Sequence, residues 1–297
     1  MHILQQIKSF LKAHLAARIL LGVVVAVIIL CIALHPQGTK TFLLLGMDNY
    51  GSLNESARSD VTMLVHVDFS RAKISAVTFA RDMFIDSENN KPIKINTVLR
   101  TSRDEQALCA LMEKNFGIPI DGWFRLNFTS VIELVDAIGG AEVDLTKAEV
   151  RYLADKGLNV YPENPLQEGK SRLNGAQALA YARCRKLDND MGRGERQGKL
   201  IAAMVRQTKH LTAARIVDVF NSLKHAWHSS YSIAEQGKLL FQALWLRGAK
   251  VQNLAVPFEG EWRYGNAGSN SGVVADLEDN RRLLLEALNL PISAAEK

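Results

Sequence analysis

From about residue 40 onward, apolar positions follow two alternating rhythms. Compact apolar runs at Thr41–Leu45, Val61–Val67 and Lys73–Phe79, each bounded by polar or glycine breakers, predict buried strands. Spacings of three and four predict helices instead. Leu108, Leu111, Met112 and Phe116 share one face of Glu105–Phe116, which stops at Gly117 with Pro119 beyond. Phe128, Val131, Ile132, Val135 and Ile138 do the same ahead of Gly139-Gly140, and Asn174 caps a short helix through Ala180. Further helices are expected at Leu200–Leu211, Ile216–Trp227, Ile233–Leu246 and Leu277–Leu288, with strands at Trp123–Leu126, Ala141–Leu145 and Val251–Val256. Interleaved strands and helices predict a single α/β domain over about 40–290.

A different pattern precedes it. Ile19 to His35 contains no Asp, Glu, Lys or Arg, and with Leu15–Ala17 it approaches the roughly 20 apolar residues that a bilayer requires. Residues 19–35 are therefore expected to form an uncleaved transmembrane signal-anchor, with a buried core helix as the alternative. Lys8, Lys12 and Arg18 make 1–18 a short basic cytoplasmic tail and place residues 36–297 outside the membrane, in the extracellular space. Those three residues also supply three of the five net positive charges, so no global basic field supports nucleic-acid binding. Of the cysteines, Cys31 lies in the apolar run, and Cys109 and Cys184 make no disulfide framework.

The densest chemistry lies in Tyr181–Gln197. An extended Tyr181–Lys186 segment would send Arg183 and Arg185 to one face, a spacing that suits a diphosphate. Arg193 and Arg196 stand three apart beside Gln197, as on the first turn of a helix, where free N–H groups favour anions. A solvated loop neutralised by Asp188, Asp190 and Glu195 is the alternative. Elsewhere, two apolar runs end at Asp48 and at Arg81-Asp82, and a third begins beside Arg58 and Asp60; such strand ends are where open α/β sheets bind ligands. Carboxylates with surrounding arginines describe a metal-assisted phosphoryl-transfer site with Mg2+, or Mn2+ in its place. The sequence lacks GxxxxGK[ST], GxGxxG after a strand, HExxH and CxxC, so nucleotide kinases, dehydrogenases and zinc enzymes find no anchor.

The exported region resembles the LytR-CpsA-Psr proteins of Gram-positive cell envelopes. The resemblance is carried, in order, by Leu43-Leu-Leu-Gly-Met-Asp48, Arg58-Ser-Asp60, Arg81-Asp82, Lys94-Ile-Asn96, Leu134-Val-Asp-Ala-Ile-Gly-Gly140, Leu173-Asn-Gly175, Tyr181-Ala-Arg-Cys-Arg185 and Gly192-Arg-Gly-Glu-Arg-Gln197. It implies an α/β/α sandwich whose interior accepts a lipid tail. The implied activity is a phosphotransferase moving a glycopolymer from a polyprenyl-pyrophosphate carrier in the membrane lipid onto peptidoglycan through a phosphodiester, with Mg2+ assisting. Carried over by position, Asp48 and Asp60 resemble the metal-binding carboxylates and, with Arg58 and Arg81, the catalytic set. Arg58, Arg81, Arg183, Arg185 and Gln197 resemble the pyrophosphate holders, joined by Arg193 and Arg196 from the same motif. Thr78-Phe-Ala80 departs from the serine or proline that usually precedes the arginine, and residues beyond about 210 match loosely. A lipid-pyrophosphate hydrolase and a non-catalytic envelope regulator are the competing readings. An apolar tunnel is expected between the sheet and helices that include Glu105–Phe116 and Phe128–Ile138.

Overall fold

Strands β1 (Thr39–Met47), β2 (Ser59–Asp68) and β3 (Lys73–Phe79) form an antiparallel meander around which the chain of this computed structural model is built. The structure describes residues 36–48, 59–159, 165–187, 190–247, 249–267 and 270–292, with Asp60, Asp190 and Met191 given by backbone alone. The remaining strands are β4 (Phe84–Asp86), β5 (Pro92–Lys94), β6 (Gly122–Leu126), β7 (Ala141–Leu145), β8 (Gly169–Leu173), β9 (His228–Ser229), β10 (Lys250–Val256), β11 (Trp262–Ala267) and β12 (Asn270–Ala275). The main sheet has the order β10-β3-β2-β1-β6-β9, and the other strands pair as hairpins β4–β5, β7–β8 and β11–β12. Because β6 runs parallel to β1 and β10 parallel to β3, four carboxyl ends share one edge with the start of β2. That edge collects Asp48, Asp60, Arg81 and Asn127.

The two faces of the sheet are covered differently. Along β1, Thr41, Leu43, Leu45 and Met47 are buried, while Phe42 and Leu44 between them are half-buried although equally apolar. The first face packs solidly against the helices Ile95–Ser102, Glu105–Phe116 and Leu277–Leu288, with Phe116, Leu108 and Leu284 fully buried. The second is covered by Phe128–Ala137, Gly175–Ala182 and Asp190–Thr208, and farther along by Ala213–Leu223 and Ile233–Ala243. The α/β fold thus has helices on both faces. From Gly38 onward the chain forms one unit.

Local signals explain most boundaries. Asp104 caps Glu105–Phe116 by accepting from Gln106 N, and Gly117 ends it in the left-handed conformation. Capping boxes start Phe128–Ala137 at Asn127 and Gly175–Ala182 at Asn174. Two expectations need correction. Tyr181–Lys186 is not extended: the helix continues through Ala182, and Arg183 is its helical C-cap. Tyr181 and Cys184 are buried three apart, a helical spacing, and Arg183 and Arg185 both remain exposed. The tunnel wall does not include Glu105–Phe116, which belongs to the solid face; Phe128–Ala137 does line a cavity. Among the described residues no helix is long and apolar enough to cross a membrane; the apolar run 19–34 lies outside them.

Candidate active site

A cavity of about 440 Å3 opens at the carboxyl edge and runs beneath the second face of the sheet. Its walls are apolar, from Leu44, Met63 and Val65 on the strands to Val131, Leu200 and Ile201 on the helices. Polar side chains are concentrated in Asp48, Asn127, Arg183, Arg185, Arg193 and Gln197. This is the shape and chemistry of a pocket for an amphiphile with an anionic head.

These polar residues come from the ends of β1 and β6 and from two helices. Asp48 follows β1 and accepts from Arg183 Nη2 at 3.4 Å, with both side chains nearly half exposed. The Arg183 guanidinium also lies 3.9 Å from the centre of the Phe128 ring, on the first residue of the helix that follows β6. Arg183 is thereby held between a carboxylate and an aromatic face. Arg193 and Gln197 lie four apart on the Asp190–Thr208 helix, which reaches the sheet closely because Gly194 and Gly198 face it. A Cβ on Gly198 would come within 2.9 Å of Asn253 Cγ, and one on Gly194 within 3.2 Å of Thr78 Cγ2. Gln197 Nε2 donates to Ala182 O at 3.3 Å, tying this helix to the one that carries Arg183.

Arg196 faces elsewhere. It is buried, donates through Nη2 to Cys184 O at 2.8 Å, and has Nη1 3.6 Å from Glu149 Oε1. Beside it Tyr181 is fully buried, and its phenol pKa is pushed strongly upward by that burial and by the Glu149 carboxylate. Arg196 thus fastens the backbone between Arg183 and Arg185 from below and does not line the cavity. Arg81, half-buried after β3, accepts at its carbonyl from Asn96 N, and Asp82 accepts at its carbonyl from Val273 N; neither side chain lines the cavity. Asp60 enters β2 at the same edge, described by its backbone, and Arg58 lies outside the described residues. The Asp136 carboxylate accepts from Gly175 N at 2.7 Å, which makes that motif pair a helix-to-helix tie. The sequence reading missed Asn127 and Phe128, although the strand-end rule that singled out Asp48 applies equally to the end of β6.

The sequence pattern of the LytR_cpsA_psr family matches residues 24–278. The chain belongs to this family. Among curated members, this LytR-CpsA-Psr protein is 27% identical over 172 residues to the polyisoprenyl-teichoic acid–peptidoglycan teichoic acid transferase TagV of Bacillus subtilis, covering 56% of this chain and 42% of TagV. It is 28% identical over 179 residues to TagT of the same organism, covering 59% and 55%. The alignments therefore span about half the length of these relatives. Among solved structures, TagT bound to LIIa-WTA superposes with a TM-score of 0.68 at 21% identity, and TagT with bound octaprenyl pyrophosphate lipid with 0.63 at 20%; each covers 85% of this chain and 91% of the other. At that identity they establish the shared fold.

Proposed function

We propose that this protein is a membrane-anchored phosphotransferase that moves a glycopolymer from a polyprenyl-pyrophosphate carrier onto peptidoglycan, with its catalytic domain outside the cell. The observation that carries this reading is the placement of Arg183, Arg185, Arg193 and Asp48 on a cavity whose remaining walls are mostly apolar. A prenyl tail matches the walls and a pyrophosphate matches the arginines. The names of TagV and TagT and the lipid carried by a TagT structure support the same choice.

In this reading Arg183 and Arg185 grip the pyrophosphate while Arg193, on the first turn of its helix, adds a third guanidinium. Arg81, whose backbone follows β3 at the same edge, is assigned to the anion-holding set by its motif, as is Arg58 by sequence position alone. Bound this way, the glycan-side phosphorus faces the acceptor. An acceptor hydroxyl forms the new P–O bond, the bond to the prenyl phosphate breaks, and polyprenyl monophosphate leaves. A carboxylate at this edge that a metal ion does not saturate takes the hydroxyl proton. Positioning and neutralisation of the phosphates provide most of the rate.

Two carboxylates at this edge are the donors that Mg2+ would take. Asp48 and Asp60 end and begin two paired strands, and carboxylate oxygens suit a hard cation that keeps several waters. Among the described residues no group of three or more His, Cys, Asp or Glu could hold a metal ion, and the Asp60 side chain is not among them. When bound, the ion would neutralise phosphate charge. The test is incubation of the full chain with a lipid-pyrophosphate glycan, with and without peptidoglycan fragments, across a Mg2+ titration. A phosphodiester-linked product that needs the fragments supports the reading. Release of free glycan phosphate at the same rate without them would make the protein a hydrolase.

A further inference from the structure

Farther along the same face of the sheet lies a second apolar hollow, of about 350 Å3, beneath Ala213–Leu223, Ile233–Ala243 and the tight turn Leu244–Leu246; Leu134 lines both hollows. Helices that merely roof a core turn their apolar sides inward. These also carry apolar side chains outward: Val217, Ile233, Phe241 and Trp245 are four of the seven large apolar side chains exposed among the described residues, with Ile233 at 50% and Phe241 at 46%. Ala234, Lys238, Phe241 and Trp245 follow spacings of four, three and four, one outer stripe, and all are exposed. Charge is equally uneven. Between Lys209 and Lys250 six exposed cations, Lys209, Arg215, Lys224, Lys238, Arg247 and Lys250, face two acids, Asp218 and Glu235, whereas the whole chain has 36 Lys or Arg against 31 acids. Arg247 donates to the carbonyls of Lys209 and Leu211, which fastens the Leu244–Leu246 turn beside the start of Ala213–Leu223 and joins the elements into one surface.

We propose that this surface docks on an anionic bilayer, which sets the helices over the second hollow against the lipid that would supply a prenyl tail. Apolar side chains set among cations are the make-up of an interfacial helix, inserting the one and pairing the other with lipid phosphates. A second copy of the chain or a neutral partner would account for the apolar residues alone. The use of the docking rests on the carrier reading above; the docking itself does not.

The full chain has its own apolar run at 19–34, so vesicle binding decides nothing and depth must be read. Phe241→Cys, and Tyr264→Cys on the β11–β12 hairpin, would each be nitroxide-labelled in the full chain and reconstituted into phosphatidylcholine vesicles containing phosphatidylglycerol. The wild-type chain, taken through the same labelling, corrects for its own cysteines. The label at 241 is expected to collide with oxygen more than with an aqueous nickel complex, and the label at 264 the reverse. Exchanging Lys209, Arg215 and Lys238 for Glu should return the 241 label to the aqueous pattern. Equal nickel access at 241 and 264, or spin–spin broadening at 241 from a second copy, would overturn the proposal. Octaprenyl pyrophosphate titrated into the same labelled protein in detergent tests the cavity separately, so that failed tail binding with intact docking would refute the carrier reading alone.

Discussion

The two faces of the central sheet are built from the same kinds of side chain and end differently. On one, Leu43, Leu45 and Leu64 meet Leu108, Met112 and Phe116 in a buried core. On the other, Leu44, Met63 and Val65 look into cavity, although helices cover them too. A protein interior is normally packed to crystal density, and a void forfeits contacts on every wall. A hollow of this size under an otherwise well-packed sheet is stability given up, and it is given up where the arginines are.

The sharpest break of that contrast is truncation on each side. Phe116→Ala should cost about 3–5 kcal/mol, because it opens a new void in a filled core. Leu134→Ala, already bordered by cavity, should cost under about 2 kcal/mol. Urea unfolding of both variants measures the difference, and equal losses would mean that the second face is as tightly packed as the first.

The arginines divide along the same line. Arg196→Ala removes the buried cation from Glu149, whose Oε2 keeps only the Thr146 N–H and hydroxyl, and the guanidinium donor from the Cys184 carbonyl, and should lower stability by about 3–5 kcal/mol. Arg183→Lys should leave the melting curve nearly unchanged and slow transfer roughly 10- to 150-fold, the worth of a charge-assisted hydrogen bond of about 1.5–3 kcal/mol in the transition state. A folded Arg183→Lys variant that transfers at the wild-type rate would remove Arg183 from the site.

Filling the hollow makes a smaller change in stability. Val131→Phe should alter it by less than about 1.5 kcal/mol, because the added ring has space to occupy, and should weaken binding of a prenyl pyrophosphate while sparing inorganic pyrophosphate. Calorimetric titration with the two ligands separates these effects.

The smallest expected effect belongs to the filled face. Burial lowers the pKa of His66, whose Nδ1 lies 3.0 Å from Thr41 Oγ1, with Asp68 pulling weakly the other way. The native state then binds fewer protons than the unfolded one, whose histidine titrates near 6.5. The corresponding stability is present above that value and is lost as pH falls from it towards the lowered native pKa. Urea melts of wild type and His66→Gln between about pH 7.5 and about pH 5 should show the wild type losing more on acidification.

Much of this arrangement was legible in residue patterns. Compact apolar runs located β1, β2 and β3 and put Asp48 at a strand end, and caps such as Asn174 and Gly117 marked helix limits. Less legible was the difference between Arg196 and Arg193. Both stand on the first turns of one helix, and only the fold shows that the direction of Arg196 leads to Glu149, forty-seven positions earlier. Alternation also misled at Tyr181–Lys186, since a helix end that buries Tyr181 and Cys184 exposes Arg183 and Arg185 just as a strand would. Short pieces without a period of their own, such as β4, β5 and β11–β12, gave no signal because tertiary pairing makes them. The hollow itself was out of reach: Leu, Val and Phe at these spacings would build a solid core equally well.

Whether one pocket holds both ends of an amphiphile is decided by binding of octaprenyl pyrophosphate to the full chain in detergent, set beside octaprenol and inorganic pyrophosphate. The intact ligand should bind far more tightly than either part, Arg183→Ala should erase the advantage over octaprenol, and Val131→Phe should erase the advantage over pyrophosphate. Equal affinity for octaprenyl pyrophosphate and for pyrophosphate alone, unchanged by Val131→Phe, would contradict a single pocket for both ends.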